Sequence, residues 1–435
     1  IFCSGYETGD SGAIADTFTF DIAASGLGLL ASEVRTGLGL PTFSRMYAYD
    51  ALGRPSARST AFDAKQWTES TTYDSLGRPS SLKDAAGYTL TTNFSARGYV
   101  QSLDDSRAGR VYEVFETNAY GQATHDRRGN TALLDATRQF DIMGRARTLC
   151  AGANCQLQDW TLEFDLRGNL KKRTRKAVFD PLHADEETFI YDNLDRMTAA
   201  TITKFGGASV NLSSAALTYD ALGNVCTKDG QPYSYAGRAG CANHGNSGRP
   251  QAVTAAFGIS YGYDANGNQV SADAPGTAND RSVTYDPQGQ AIEISQGTNK
   301  TKFFYGPDGA RFERIDQTGL GTRTTRYLGN VEIVTLENGT TETRRYLGGV
   351  AVDLVRSTNQ NETRYLFGDH LGSVDVIANA SGAIIETLSF DPHGNRRNPA
   401  TWQGPPQTLP TTTTHGFTGH EHADGVGLIH MGARL

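Results

Sequence analysis

Near its start the chain carries a string of residue types that some serine proteases use for catalysis. Asp10, Ser11 and Gly12 lie in TGDSGA, and Asp-Ser-Gly strings of this kind hold the nucleophile of such enzymes. A nucleophilic serine needs a histidine and a carboxylate as partners, and neither precedes this string in the required order. We therefore interpret TGDSGA as a turn rather than a catalytic loop.

A second candidate is the histidine-rich end, which holds His415, His420, His422 and His430. His420 and His422 would point to the same side of a strand, where two imidazoles could begin a metal site. In HEHAD, however, Asp424 stands where the zinc motif HExxH has its second histidine. The sequence therefore predicts solvated or packed imidazoles, with no metal and no other cofactor.

Aspartates followed three residues later by glycine form the third candidate, because paired carboxylates can serve as acid and base. An enzyme needs one perturbed pair, whereas this chain repeats the same pattern along most of its length. Asp391 in FDPHG is one member of this series, and we interpret it as structural. The recurrence indicates a role in the fold.

The dominant pattern is a repeat of an aromatic residue, Asp, two variable residues and Gly, with a period of roughly 22 residues. Clear copies begin YDALGR at Tyr49, YDSLGR at Tyr73 and YDANGN at Tyr263. A degenerate copy, YGPDG at Tyr305, is aligned here with Asp308 in the place of the aspartate. A period in this range is typical of an architecture built from stacked units.

Each copy predicts a tight turn in a β-hairpin. Asp at the first turn position can accept hydrogen bonds from backbone N–H groups two or three residues on, and Gly at the fourth tolerates positive φ. Alternating flanks such as RSVTYDPQGQAIEI predict the two strands. The residues assigned to such turns are Asp50, Gly53, Asp74, Gly77, Asp141, Gly144, Asp165, Gly168, Asp220, Gly223, Asp264, Gly267, Asp286, Gly289, Asp391 and Gly394.

Consecutive hairpins should stack side by side, because an isolated hairpin is marginally stable and its edges aggregate. The composition agrees with many short strands and turns, since only 38% of the 435 residues are hydrophobic and 49 are glycine. We therefore predict an all-β chain of stacked hairpins that spiral into a large curved sheet or a hollow cocoon.

Charge and hydropathy exclude several classes of partner. The net charge of −7 is spread along the chain without a basic stripe, so we predict no nucleic-acid binding. No apolar run is long enough to predict a membrane span.

The five cysteines are Cys3, Cys150, Cys155, Cys226 and Cys241. The pairs Cys150/Cys155 and Cys226/Cys241 could form disulfides in an oxidising compartment, but reduced thiols are the interpretation favoured here.

The YDxxGR units resemble the YD repeats of RHS proteins, which include bacterial Rhs and polymorphic toxins, the B and C subunits of Tc toxins, and the animal teneurins. The stretch RYLFGDHLGSVDVIANASGAIIETLSFDPHGNRR and the later GFTGHEHADGVGLIHMGARL resemble the RHS-associated core motif of bacterial members. The resemblance implies a partial repeat or lead-in strands over 1–46, hairpin repeats over 47–360 and a core region over 361–435 that closes a shell.

The same resemblance implies a function for the shell. In bacterial members the shell encloses a C-terminal toxin domain, which paired aspartates release by self-cleavage; an arginine matching Arg434 lies near that pair. We expect this chain to stop before those aspartates and to have no enzymatic activity of its own. The expected partners are its own toxin domain as cargo and other subunits for delivery by a bacterial apparatus, of Tc, type VI or another kind.

A second hypothesis is that the chain is a surface module that recognises a glycan or a protein. Aromatic side chains such as Tyr99, Tyr233 and Tyr263 would then be displayed on the sheet.

Overall fold

The computed structural model describes residues 14–37, 39–177, 180–235, 238–239, 250–275, 277 and 280–432. These residues form short β-strands that are joined mainly by tight turns. The first half of the chain contains β1 (Ile14–Phe20), β2 (Leu30–Gly37), β3 (Phe43–Tyr49), β4 (Pro55–Phe62), β5 (Lys65–Tyr73), β6 (Pro79–Lys83), β7 (Thr89–Phe94), β8 (Val100–Asp105), β9 (Gly109–Thr117), β10 (Ala123–Arg128), β11 (Asp135–Phe140), β12 (Ala146–Ala151), β13 (Gln158–Phe164), β14 (Leu170–Ala177), β15 (Asp180–Tyr191), β16 (Met197–Phe205) and β17 (Ala208–Tyr219).

The second half continues in the same manner. It contains β18 (Val225–Lys228), β19 (Gln231–Tyr235), β20 (Arg238–Ala239), β21 (Val253–Ala256), β22 (Ile259–Tyr263), β23 (Gln269–Asp273), β24 (Arg281–Tyr285), β25 (Ala291–Gln296), β26 (Asn299–Tyr305), β27 (Arg311–Thr318), β28 (Gly321–Leu328), β29 (Val331–Thr335), β30 (Thr341–Leu347), β31 (Ala351–Arg356), β32 (Glu362–Gly368), β33 (Val374–Asn379), β34 (Ile384–Thr387), β35 (Glu421–Ala423) and β36 (Leu428–His430). Single 3-10 turns lie at Ala132–Leu134, Ala153–Cys155, Phe417–Gly419 and Asp424–Val426.

The described residues divide into two compact units. The first comprises those within 1–114 and 301–364, and the second those within 115–300 and 365–435. In the first unit each strand from β1 to β9 pairs antiparallel with the next, as do β27 to β31. In the second, the same pairing links β10 to β19 and β21 to β25. The predicted all-β fold of stacked hairpins is confirmed.

The first unit has an aromatic core between its two chain segments. Phe43, Phe62 and Phe312 are buried together with Leu328 and Val331. The Phe43 and Phe312 rings stack with their centroids 4.6 Å apart. Burying each of these side chains contributes about 1.5–3 kcal/mol, so the contact holds the early and late hairpins of this unit together.

The second unit has a core around two tryptophans. Side chains of β13 alternate in burial, with Gln158, Trp160 and Leu162 on the buried side. Trp160 stacks on Trp402 at a centroid distance of 5.9 Å, and Ile202 belongs to the same cluster. This core attaches the segment that contains Trp402 to hairpins more than two hundred residues earlier.

Candidate functional site

The repeat turn is best seen at Asp50. Gly53 N–H donates to Asp50 O at 2.9 Å, and Asp50 N–H donates to Arg54 O at 2.9 Å. Asp50 Oδ1 accepts from the N–H groups of Leu52 at 2.9 Å and Arg54 at 3.0 Å. Gly53 has φ +74°, and the strand register shifts by one residue beside the turn. This is a type I turn followed by a glycine bulge, a common connection for two twisted strands.

All eight predicted Asp and Gly pairs have this arrangement. The glycine φ values lie between +74° and +101°, a region in which a residue with a Cβ is strained. The glycines are Gly53, Gly77, Gly144, Gly168, Gly223, Gly267, Gly289 and Gly394, and each N–H donates to the carbonyl of its aspartate: Asp50, Asp74, Asp141, Asp165, Asp220, Asp264, Asp286 and Asp391.

Two details differ from the sequence interpretation. The carboxylate accepts from the backbone two and four residues on, because the bulge brings the fifth residue back beside the aspartate. At Asp165 it also accepts from the N–H of Gly168, three residues on, as expected. In addition, Gly306, not Asp308, occupies the first position of the turn after Tyr305, as Gly309 N–H donates to Gly306 O at 2.9 Å. Asp308 lies at the third position and instead pairs with Arg45 at 2.5 Å.

In four of the repeats, the arginine after the turn stacks on the aromatic residue of the next hairpin. The Arg54 guanidinium lies 4.2 Å from the centre of the Tyr73 ring, and Tyr73 Oη donates to Pro55 O at 2.7 Å. Equivalent stacking pairs are Arg78 with Phe94, Arg145 with Phe164 and Arg196 with Tyr219. This ladder was not predicted from the sequence, although the arginine after the glycine and the recurring aromatic residue were visible signals of it.

The turn carboxylates are poor candidates for acid–base catalysis. Hydrogen bonds from the Arg54 side chain and backbone lower the pKa of Asp50 below its usual value, and Asp74 and Asp141 have lowered pKa values through backbone bonds from Arg78 and Arg145. They are therefore ionised at neutral pH and occupied as hydrogen-bond acceptors.

A buried charge cluster lies within the first unit. Fully buried Arg345 donates from Nε to Asp84 Oδ2 at 2.6 Å, from Nη2 to Asp105 Oδ2 at 2.5 Å and from Nη1 to Asp353 Oδ2 at 2.6 Å. Arg107 also pairs with Asp353. Burial favours a neutral Asp105, but the bonds from Arg345 outweigh it and lower the pKa of that carboxyl. The cluster thus joins distant hairpins through ionised groups.

The second unit has a comparable cluster around Glu187. Its carboxylate accepts from Arg173 at 2.6 Å and from Arg397 at 3.1 Å. Burial would raise the pKa of Glu187, but the two guanidinium groups lower it to about 2. Trp402 lies 4.5 Å from Arg397 and 4.9 Å from Arg175, measured from guanidinium carbon to ring centre. These contacts fix the later segment against β14 and β15.

Glu313 shares one property with catalytic acids, a carboxyl group with a raised pKa. It is buried, and its Oε2 lies 3.0 Å from Arg326 Nε, while Arg326 also pairs with Asp63 at 3.1 Å. Burial, and then the neighbouring Asp63 carboxylate, raise the pKa of Glu313 to about 7, against the opposing effect of Arg326. The groups shown around it are the charged side chains of Arg326 and Asp63, so we assign it a structural role.

The histidines of the last segment have local partners. His422 is buried, and its Nε2 accepts the Phe417 N–H at 3.0 Å; burial, with the nearby Arg396, lowers its pKa to about 4. His420 Nδ1 lies 2.7 Å from Thr418 Oγ1, and His415 Nδ1 lies 2.9 Å from Gly419 O. Within the described ranges, no group of three or more metal-binding side chains comes together.

The cysteines differ from the favoured interpretation. Cys150 and Cys155 form a disulfide, so the expectation of reduced thiols is wrong for this pair. Cys226 is also disulfide-bonded. Cys3 and Cys241 lie outside the described residues, as do Arg434 and the Asp10–Gly12 string.

The three aromatic residues proposed for recognition are not equivalent. Tyr99 is 47% exposed, whereas Tyr233 and Tyr263 are half-buried. The Tyr263 hydroxyl donates to Val253 O at 2.7 Å as part of the hairpin ladder. In the part of the chain that the structure describes, no helix is long and apolar enough to cross a membrane.

Comparison with solved structures shows the same fold. A crystal structure of TcdB2-TccC3-Cdc42 has a TM-score of 0.71 and 16% identity, with 97% of this chain and 24% of that chain covered. The Tc holotoxin pore of Photorhabdus luminescens has a TM-score of 0.68 and 15% identity, covering 95% of this chain and 24% of that chain. A crystal structure of TcdB2-TccC3 has a TM-score of 0.68 and 15% identity, with 97% of this chain and 25% of that chain covered. The chain therefore spans about a quarter of the length of these structures.

No curated protein matches the chain significantly. A protein-family model described as the teneurin YD-shell matches residues 136–402, which is more than half of the chain. The resemblance to RHS and YD-repeat proteins is thereby confirmed. A protein built of these linked repeat turns, with this family match, belongs to the teneurin YD-shell family.

Proposed function

We propose that the chain is part of the wall of a shell that encloses a protein cargo and helps to deliver it. The observation that carries this proposal is the ladder between hairpins, in which Arg54 stacks on Tyr73 and Tyr73 bonds to Pro55. At four repeats, neighbouring hairpins are thus joined by side chains as well as by backbone pairing. Such a wall can extend without a thick hydrophobic core, which suits a container better than a solid domain.

The cargo that the family resemblance suggests is a toxin domain of the same protein. Residues 47–360 would then form the wall and residues 361–435 the region that closes it. The similar structures with TcdB2 and TccC3 support a partnership with further shell subunits, and hence delivery by a bacterial toxin apparatus. The role is structural, since the carboxylates of the turns and of the two buried clusters are bound by backbone N–H groups and arginines.

Protection of the cargo from protease tests this proposal. The natural protein that contains the chain would be treated with a nonspecific protease, and the fragments would be followed by mass spectrometry. We expect cargo peptides to survive until urea opens the wall, and to be cut at once in a sample that is unfolded first. Cargo cleavage in the folded protein as fast as in the unfolded one would contradict enclosure.

Recognition of a glycan or a protein is a second proposal, favoured by the exposed ring of Tyr99. A glycan array probed with the purified chain and with Tyr99→Ala would test it. Binding that the substitution abolishes would support recognition, and an array without hits would count against a glycan ligand.

A further inference from the structure

A short disulfide loop lies between β12 and β13 in the second unit. Cys150, near the end of β12, is bonded to Cys155, five residues further on. Both cysteines are half-buried, and Ala153 and Asn154 between them are exposed to solvent. The bond therefore lies at the surface, where a thiol in solution can reach it.

The backbone of this loop is left-handed at three positions. Gly152 has φ +80°, Asn154 has φ +55° and Cys155 has φ +61°. Glycine and asparagine adopt this region readily, but the side chain of a residue such as Cys155 is strained there. The hydrogen bonds on either side of Cys155 are long, since its N–H donates to Gly152 O at 3.1 Å and Gln156 N–H donates to Ala153 O at 3.3 Å. The disulfide is the covalent restraint that holds Cys155 in this conformation.

The residues that follow the loop hold the later part of the unit. Gln158 Nε2 donates to Gly368 O at 3.1 Å and to Asp375 Oδ2 at 2.9 Å. Trp160 Nε1 donates to the same Asp375 oxygen at 2.7 Å, and the Trp160 ring stacks on Trp402. Strand β13 therefore joins β32, β33 and the segment around Trp402 to the earlier hairpins.

The loop is packed directly against these contacts. A Cβ placed on Gly152 would lie 2.8 Å from Cγ of the buried Leu157, at the start of β13. Gly152 N–H also donates to Asp135 O at 2.8 Å. Two residues before Asp135, Leu133 lies so near Gly382 that a Cβ there would be 2.8 Å away. A change in the loop backbone can thus reach the later segment through β13 and through Leu133.

Breaking the bond should act locally, because the loop is short. The stabilisation that a disulfide provides grows with the length of chain that it closes, and this one joins residues only five positions apart. The strands on either side are paired without it, since Ala151 lies opposite Ala136 on β11 and opposite Gln158 on β13. Loss of the bond should therefore free the loop and its contacts without unfolding the unit, which suits a reversible switch.

We propose that the Cys150–Cys155 disulfide is a redox-sensitive site, which fixes residues 365–402 while it is oxidised and frees them when a dithiol reduces it. One thiolate of the dithiol attacks a sulfur of the bond, forms a mixed disulfide and releases the other cysteine as a thiolate. The second thiol of the dithiol then displaces the remaining cysteine. The protein thereby takes up two electrons and two protons as two thiols, and the dithiol becomes a disulfide.

This site would respond to a change of compartment. Disulfides persist in oxidising surroundings and are reduced in the cytosol by dithiol proteins. A shell that passes into a cell meets such dithiols, so this use of the site rests on the proposed delivery.

Hydrogen exchange of the purified chain, followed by mass spectrometry, tests the proposal. The folded chain would be treated with dithiothreitol, and iodoacetamide would then mark the thiols to show which bonds were cut. The variant Cys150→Ser with Cys155→Ser mimics the reduced loop. The control is Cys226→Ser, which removes a different disulfide-bonded cysteine. Circular dichroism would verify that each variant folds.

We expect dithiothreitol to cut the Cys150–Cys155 bond in the folded chain and to speed exchange in β33 and around Trp402 about tenfold or more, because local opening sets the exchange rate. The double variant should exchange as fast without reductant and should not respond to it, whereas Cys226→Ser should respond as the unmodified chain does.

Three outcomes would overturn the proposal: a bond that resists reduction in the folded chain, a reduced chain with unchanged exchange in these segments, and a double variant that still responds to dithiothreitol. If the double variant does not fold, reduction of the unmodified chain and of Cys226→Ser decides. Cargo protection is measured without reductant, so failure here leaves the proposed shell intact.

Discussion

Replacing Arg345 with methionine is the most informative perturbation of the shell wall. The side chain is fully buried and its guanidinium is the shared partner of Asp84, Asp105 and Asp353. Methionine keeps much of the volume and removes the charge, so three buried carboxylates lose a cation. Arg107 still pairs with Asp353, which leaves Asp84 and Asp105 as the groups most affected.

The magnitude follows from the burial of the cluster. Removing one partner of a buried ion pair costs about 3–5 kcal/mol, and two uncompensated carboxylates place this variant near the upper end of that range. The matched control is Arg110→Met, because Arg110 pairs with Asp104 and Glu113 at the surface of the same unit. A surface pair contributes about 0–1 kcal/mol.

Urea unfolding at several pH values measures both effects. The pKa of Asp105 is lowered in the folded protein, so its contribution to stability is full above the unfolded value of about 3.9 and is lost as pH falls through the folded value. In Arg345→Met the carboxylates can take up protons as the pH falls. We therefore expect the stability gap to be largest at pH 7 and to shrink towards pH 4. A gap below about 1 kcal/mol at pH 7, or one independent of pH, would refute this account of the cluster.

Three further predictions concern the turns, Glu313 and Trp402. Gly223→Ala adds a Cβ that meets no atom within 4 Å, but the residue has φ +89°, where a side chain is strained. Thermal unfolding should therefore show a loss of about 1–2 kcal/mol of stability. Gly319→Ala is the control, because Gly319 has open space and no positive φ, and it should show no loss. Because the pKa of Glu313 is raised to about 7, its contribution to stability is full below about pH 4 and is lost as pH rises through 7. The urea concentration at the unfolding midpoint should therefore fall over this pH range. Glu313→Gln should make that midpoint less dependent on pH. Trp402→Ala removes the ring that stacks on Trp160 and on the arginines, so it should cost about 3–5 kcal/mol of stability in urea unfolding. Trp402→Phe keeps a ring and should cost less. A smaller loss for Trp402→Ala than for Trp402→Phe would contradict this packing.

The repeat turns could be predicted from sequence because their chemistry is local. Asp50 and Gly53 are three residues apart, and the hydrogen bonds that define the turn stay within five residues. The prediction for Asp308 was wrong because this turn has no aspartate at its first position. Tyr305 still precedes the turn and Gly309 still occupies its fourth position, but Gly306 stands first. The turn thus tolerates replacement of the aspartate, as at Gly306, and replacement of the glycine, as at Asp195.

The buried clusters could not be predicted from sequence because their members come from distant repeats. Arg345 meets Asp84 across 261 positions, and Gln158 meets Asp375 across 217. Asp84 follows a lysine rather than an aromatic residue, but nothing near it in the sequence indicates that its carboxylate is buried against Arg345. The Cys150–Cys155 disulfide was also not predicted, because a short spacing in sequence does not by itself show that the two side chains approach each other.

Small-angle X-ray scattering of the purified 435-residue chain tests the shell account most directly. A compact globule of this length has a radius of gyration of about 22 Å. A wall built around an open space must exceed that value clearly, and its pair-distance distribution should be depleted at short distances relative to a solid body. A radius near 22 Å with the distribution of a filled globule would contradict the claim that this chain forms part of an enclosing wall.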